Sequence, residues 1–178
     1  MNHRILRLTA RVQTAIWNHL LNNKTVSEEA AFVFARRETI RNDEIFTAVD
    51  WYAVPAEGFA FRSKYYIELS NDTKAFLIKK AHDLQTSLVE CHSHLGPWPA
   101  EFSPSDFSGF REFVPHILWR LSGRPYLAVV TTPRTDFDGL VWISPDQNPV
   151  QLDAIQTERR TLYPTALSIV ALENSHGE

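Results

Sequence analysis

Hydrophobic and polar positions along the chain fall into short segments of two kinds. "RILRLT", Arg4 to Thr9, alternates as a strand does, and "ARVQTAIWNHLLNN" after it places Val12, Ala15, Ile16, His19 and Leu20 at helical spacing. Three further strands are expected in "EEAAFVFARRE", "EIFTAVDWYAVP" and "FRSKYYIELS". Asn71-Asp72-Thr73 offer N-caps to a helix in "KAFLIKKAHDLQ", whose stripe is Phe76, Leu77, Lys80, Ala81 and Leu84. "SLVECHSH" reads as a strand running into a loop, and "SPSDFSGFREFVPHILWRL" as a capped helix interrupted near Pro115. "PYLAVVTTP" and, after a turn at Asp138-Gly139, "DGLVWIS" complete the strands. Helices and strands mix without regular alternation, which predicts an α+β fold with a mixed sheet flanked by helices. The pattern weakens from Pro149, where "PTALSIVALEN" is expected to form a short docking helix; residues 149–178 are read as a C-terminal extension of one domain spanning 1–178.

Composition narrows the function classes. The 178 residues are 44% hydrophobic and 12% aromatic, enough for one buried core. A net charge of -3 with interspersed signs gives no basic field for nucleic acid. The single cysteine, Cys91, cannot form an intrachain disulfide, which suits a reducing compartment. With no charged leader before an apolar core and no apolar run of spanning length, a soluble cytoplasmic protein is expected.

The chemistry concentrates in "LVECHSHLGPWPAEFSPSDFSGF", Leu88 to Phe110. Side chains alternate along a strand, so Glu90, His92 and His94 share one face and Val89, Cys91 and Ser93 the other. Two imidazoles on one face can reach one zinc ion, and Asp106, in the first turn of the helix expected after Ser103-Pro104-Ser105, can supply a carboxylate. Glu90 stands outside the predicted site, because a strand glutamate more often meets solvent or a basic neighbour. Cys91 is expected to be a packed, inert thiol, and His19, His82 and His116 to be structural or exposed.

His92-Ser93-His94 followed by Ser103-Pro104-Ser105-Asp106 resembles the JAMM motif of the JAB/MPN metalloproteases, whose pattern is a glutamate ahead of a strand, His-x-His-Pro, a short loop and Ser-x-x-Asp. "EEAAFVFA", Glu28 to Ala35, is similar to the family's upstream segment, with alanines where two glycines are usual. Leu95 stands in place of the usual proline, and the loop to Ser103 is one residue longer. The resemblance implies an MPN/JAB-like, cytidine deaminase-like fold, zinc held by His92, His94 and Asp106, Glu28 as catalytic glutamate and Ser103 as a donor to the developing oxyanion. Glu29 is the alternative to Glu28, one register step away, and Thr25-x-x-Glu28 also reads as a capping box opening a helix.

The family's chemistry is hydrolysis of isopeptide or peptide bonds that follow the glycine tail of a ubiquitin or ubiquitin-like protein. The resemblance therefore implies a ubiquitin-like protein and its conjugates as partners, as in small bacterial conjugation systems. It further implies a narrow groove for a Gly-Gly tail, exposed strand backbone beside the site to pair with it, and Trp98 and Phe102 as substrate contacts or loop anchors. Two other functions stay open at this point: a metal-free MPN-type scaffold that binds a partner protein, and a zinc amidase acting on small peptide conjugates.

Overall fold

The computed structural model describes residues 2–175, so Met1 and the last three residues of the predicted domain and extension lie outside the described residues. In chain order the elements are β1 (Arg4–Arg7), α1 (Ala10–Leu20), β2 (Ala30–Ile40), β3 (Asp43–Ala53), β4 (Phe59–Arg62), β5 (Ile67–Leu69), α2 (Asn71–Leu84), β6 (Ser87–Ser93), α3 (Pro104–Arg120), β7 (Tyr126–Thr131), β8 (Phe137–Trp142), β9 (Val150–Gln151), β10 (Ala154–Gln156), β11 (Thr161–Leu162) and α4 (Leu167–Ser175). Nine strands form one sheet in the order β11-β10-β1-β3-β2-β6-β7-β8-β9, and β4 and β5 form a separate hairpin. The pairs β1–β10, β1–β3 and β6–β7 are parallel and the others antiparallel. This is the α+β mixed sheet flanked by helices that the pattern predicts.

The sheet separates two cores. On one side Leu6, Ile16, Leu20, Val33, Phe46 and Val89 pack beneath α1. On the other Phe32, Phe34, Leu77, Leu88, Phe110 and Ile117 pack beneath α2 and α3. The continuous apolar run at Ala30–Ala35 follows from this position, since β2 lies between β3 and β6 with both faces covered.

Several elements depart from the expected pattern. "FRSKYYIELS" is two strands joined by a turn, in which the Ser63 amide donates to the Tyr66 carbonyl at 2.8 Å. Ser70 caps α2 ahead of the three candidates, its hydroxyl accepting from the Thr73 amide. Helix α3 runs through Pro115, which points to solvent, where water can reach the carbonyl left without its partner. Asp138-Gly139 lies inside β8, with no turn there; a Cβ on Gly139 would come within 2.9 Å of the Leu152 side chain, so glycine serves close packing.

The segment from residue 149 supplies β9, β10 and β11 at the two edges of the sheet, and α4. It also ties down the loop between β6 and α3. Thr165 Oγ1 donates to the Ala100 carbonyl at 2.6 Å, and the Phe102 amide donates to Ser168 Oγ at 2.9 Å. The buried Asp138 carboxylate accepts from the Ser168 amide at 2.8 Å and so fixes the start of α4. Among the described residues no helix is long and apolar enough to cross a membrane.

Candidate metal centre

His92 lies near the end of β6, opposite Ala30 of β2, and is 1% exposed. His94 falls just beyond the strand, but its amide donates to the Thr131 carbonyl at 2.9 Å, which continues the pairing with β7 and keeps both imidazoles on one face. Their Nε2 atoms are 3.3 Å apart. Asp106 arrives from the first turn of α3. Its Oδ2 accepts from the Ser103 amide at 2.6 Å and the Ser103 hydroxyl at 2.8 Å, while Ser103 Oγ accepts from the Asp106 amide at 3.2 Å. This capping box turns the carboxylate back toward the strand, placing Oδ1 3.4 Å from His92 Nε2 and Oδ2 3.2 Å from His94 Nε2.

The separation of the two Nε2 atoms suits one shared cation, and each of them has a different Asp106 oxygen at a like distance. Two ligands at tetrahedral positions about 2.0–2.1 Å from a zinc ion are about 3.3–3.4 Å from each other. Among the described residues, His92, His94 and Asp106 form a group of side chains that could hold a metal ion. Their electrostatics favour positive charge as well. Burial opposes the His92 imidazolium, yet Asp106 and then Glu90 outweigh it and hold its pKa well above 6.5. Burial likewise opposes the Asp106 carboxylate, but the charge of His92 and hydrogen bonds from both histidines hold its pKa far below the usual carboxylate range.

Glu28 and Glu29 have different surroundings. The Glu29 amide donates to Ser93 Oγ at 3.0 Å and its carbonyl accepts from the Ser93 amide at 3.1 Å; this extends the register so that Glu28 falls opposite His94. Glu28 is 4% exposed, and its acid is pushed up to about 7 by burial, with the charge of His92 opposing and that of Asp106 adding. Glu29 instead accepts from Arg62 at 2.5 Å and from Thr25 at 3.1 Å. No helix opens at Thr25, so the capping-box reading of Thr25-x-x-Glu28 is corrected: the chain here enters β2.

The exclusion of Glu90 is also corrected. Its Oε1 lies 3.1 Å from His92 Nδ1, and its Oε2 accepts from the Tyr126 hydroxyl at 2.5 Å. A carboxylate at Nδ1 fixes a proton there and turns Nε2 toward His94 and Asp106. Tyr126 is fully buried, and burial together with the Glu90 charge raises its pKa well above 10, so it stays a donor. The shared parity of Glu90 and His92 was the available signal. Tyr126, which completes the arrangement, comes from the parallel neighbour β7, where Glu90 pairs with Ala128.

The remaining candidates separate by burial. Phe102 is 3% exposed, with its ring centroid 5.7 Å from that of His92, and anchors the loop against Phe107 and Phe110. Trp98 on the same loop is 75% exposed and free to meet a ligand. Burial pushes the Cys91 thiol well above its ordinary pKa, which leaves it unreactive on the opposite face. His19 Nε2 lies 2.9 Å from the Ala30 carbonyl, a structural contact; His82 sits on the surface beside Asp83, and His116 on the exposed side of α3.

No protein-family model matches the chain, and no curated protein matches it.

Proposed function

We propose that this protein is a zinc-dependent peptidase or isopeptidase of the JAB/MPN kind. One observation carries the reading: two imidazoles and a carboxylate with their nearest ligand atoms 3.2–3.4 Å apart, beside a buried glutamate whose acid is raised to about 7. Three protein ligands leave a fourth position for water or substrate, the pattern of catalytic zinc sites. When bound, zinc would polarise a carbonyl and lower the pKa of water from about 15.7 to about 7. The donor set also suits iron or manganese.

Each residue then has a task. Glu28 accepts a proton from the attacking water and passes it to the departing amine, a task that suits a carboxylate buried beside the two histidines and the aspartate. Ser103 donates to the carbonyl oxygen as it becomes negative; its hydroxyl now donates to Asp106, so this role requires it to turn. Glu90 and Tyr126 keep His92 in the tautomer that presents Nε2.

The proposed substrates are a ubiquitin-like protein and its conjugates, following the family resemblance. The outer edge of β5, unpaired among the described residues, offers backbone to which an extended tail can add as a strand. A cytoplasmic location suits a lone buried thiol. The test is metal analysis of protein never exposed to chelator, together with cleavage of a ubiquitin-like fusion. About one zinc per chain is expected, with Glu28→Gln retaining the metal and losing turnover by about 10²–10⁴-fold. A zinc content near zero would favour the scaffold function; cleavage of small amides but no fusion would favour the amidase.

A further inference from the structure

A cleft of about 570 Å³ opens between α2 and α3, and both Asp106 and Glu90 contribute to its lining. Whatever fills it therefore adjoins the metal-ligand group. Its size lies within the range of sites that take small ligands or large substrate groups, about 300–1,000 Å³. Phe32, Ile67, Leu69, Ile78, Phe110 and Phe113 give it apolar walls. Charges on its lining have both signs, Lys74 and Arg120 against Glu68 and Glu112, with Glu90 and Asp106 at the end that adjoins the histidines and already engaged with Tyr126, His92 and His94. This is a wider space than a Gly-Gly tail fills, and glycines alone would leave the aromatic surface wet.

Gly109 gives an independent indication. It lies one turn after Asp106 in α3 and lines the same cleft. A Cβ built there meets nothing within 4 Å, so no neighbour in the protein requires glycine. Glycine also weakens a helix relative to alanine, so local stability does not favour it either. Its effect is to leave the mouth of the cleft open beside the carboxylate.

We propose that the cleft between α2 and α3 is a subsite for a bulky apolar group, an aromatic or large aliphatic side chain on one of the two residues flanking the scissile amide, admitted over Gly109. The subsite deepens the hydrolase reading and rests on it for the placement of the amide. A ubiquitin-like tail then presents glycine on at most one flank of the bond, with the large residue on the other.

Two measurements separate the subsite from the hydrolase. The first is kcat/KM of the zinc-loaded protein on short acetylated peptide amides in which each flanking residue in turn is glycine or phenylalanine. The second is NMR titration with N-acetylphenylalaninamide and N-acetylglycinamide, which needs no turnover. Phenylalanine is expected to be preferred at one flank by roughly 10–200-fold. The preference should persist in Gly109→Ala and collapse toward unity in Gly109→Trp, whose side chain occupies the cleft; thermal unfolding of both variants checks that they are folded. Hydrolysis with equal rates for glycine and phenylalanine at both flanks overturns the subsite and leaves the hydrolase standing. Preferential binding of the phenylalanine amide, lost in Gly109→Trp, in a zinc-loaded protein that cleaves neither these peptides nor a ubiquitin-like fusion upholds the apolar site and rejects the hydrolase. Absence of preference in both measurements overturns the subsite.

Discussion

On one face of β6 stand Leu88, Glu90 and His92, on the other Val89, Cys91 and Ser93, and the two faces hold their buried groups by different means. Val89 and Cys91 join an apolar core beneath α1 and need only packing. Glu90 and His92 carry polar atoms into the interior, where each must find a partner. They do so in series: Tyr126 to Glu90, Glu90 to His92, His92 to Asp106. Substitutions on the packed face should cost stability according to size. On the polar face one deletion leaves its neighbours unsatisfied, so the loss reaches residues that are themselves unchanged.

That contrast can be broken in graded steps. The largest effect belongs to the ligands: His92→Ala or Asp106→Ala should take zinc content from about one per chain to near zero, while Cys91→Ala, one residue away on the other face, keeps it. Retention of full zinc by His92→Ala would remove the distinction between the faces. One step further from the ion, Glu90→Gln keeps volume but replaces the carboxylate at Nδ1, and zinc affinity measured by competition with a chelator should fall by about 10–100-fold.

Glu28 sharpens the comparison through pH in the metal-free protein. Its folded pKa of about 7 exceeds the ordinary 4.5, so the folded state binds this proton more tightly than the unfolded chain. The associated stability is fully present below about pH 4.5 and is lost as pH rises through 7. Glu28→Gln carries no such ionisation. The stability of Glu28→Gln relative to wild type should therefore rise between pH 4.5 and 7, by on the order of 1–3 kcal/mol in denaturant titrations. A constant difference across that window would show that the burial of Glu28 carries no such linkage. The smallest effect is that of Cys91→Ala on stability, about 1 kcal/mol with no change in metal content.

Part of this site was legible because local periodicity defines it. The period of two along β6 places His92 and His94 together, and Ser103-Pro104-Ser105-Asp106 announces a capped helix whose first turn carries a carboxylate. Glu28 came from likeness of pattern; its place opposite His94 depends on the β2–β6 register, which pairs Glu29 with Ser93 across 64 positions of sequence and leaves no local signal. The place of Glu90 is not legible for a related reason: a strand glutamate can meet water or a buried partner, and only Tyr126 on the parallel neighbour β7 decides which. The short strands β9, β10 and β11, two or three residues each, are too brief to show alternation at all. Asp138-Gly139 misled because the same dipeptide that makes a turn also lets a side chain such as Leu152 press against backbone.

The clamp on the loop between His94 and Ser103 sets an order of events during synthesis. Ala100 and Phe102 receive their anchors from residues 65 and 66 positions later in the chain. Until those residues are in place, the connection between the histidine strand and the aspartate helix lacks both of these bonds. The spacing of the two histidines from Asp106 therefore depends on bonds to Thr165 and Ser168, which follow every element that carries one of those three side chains.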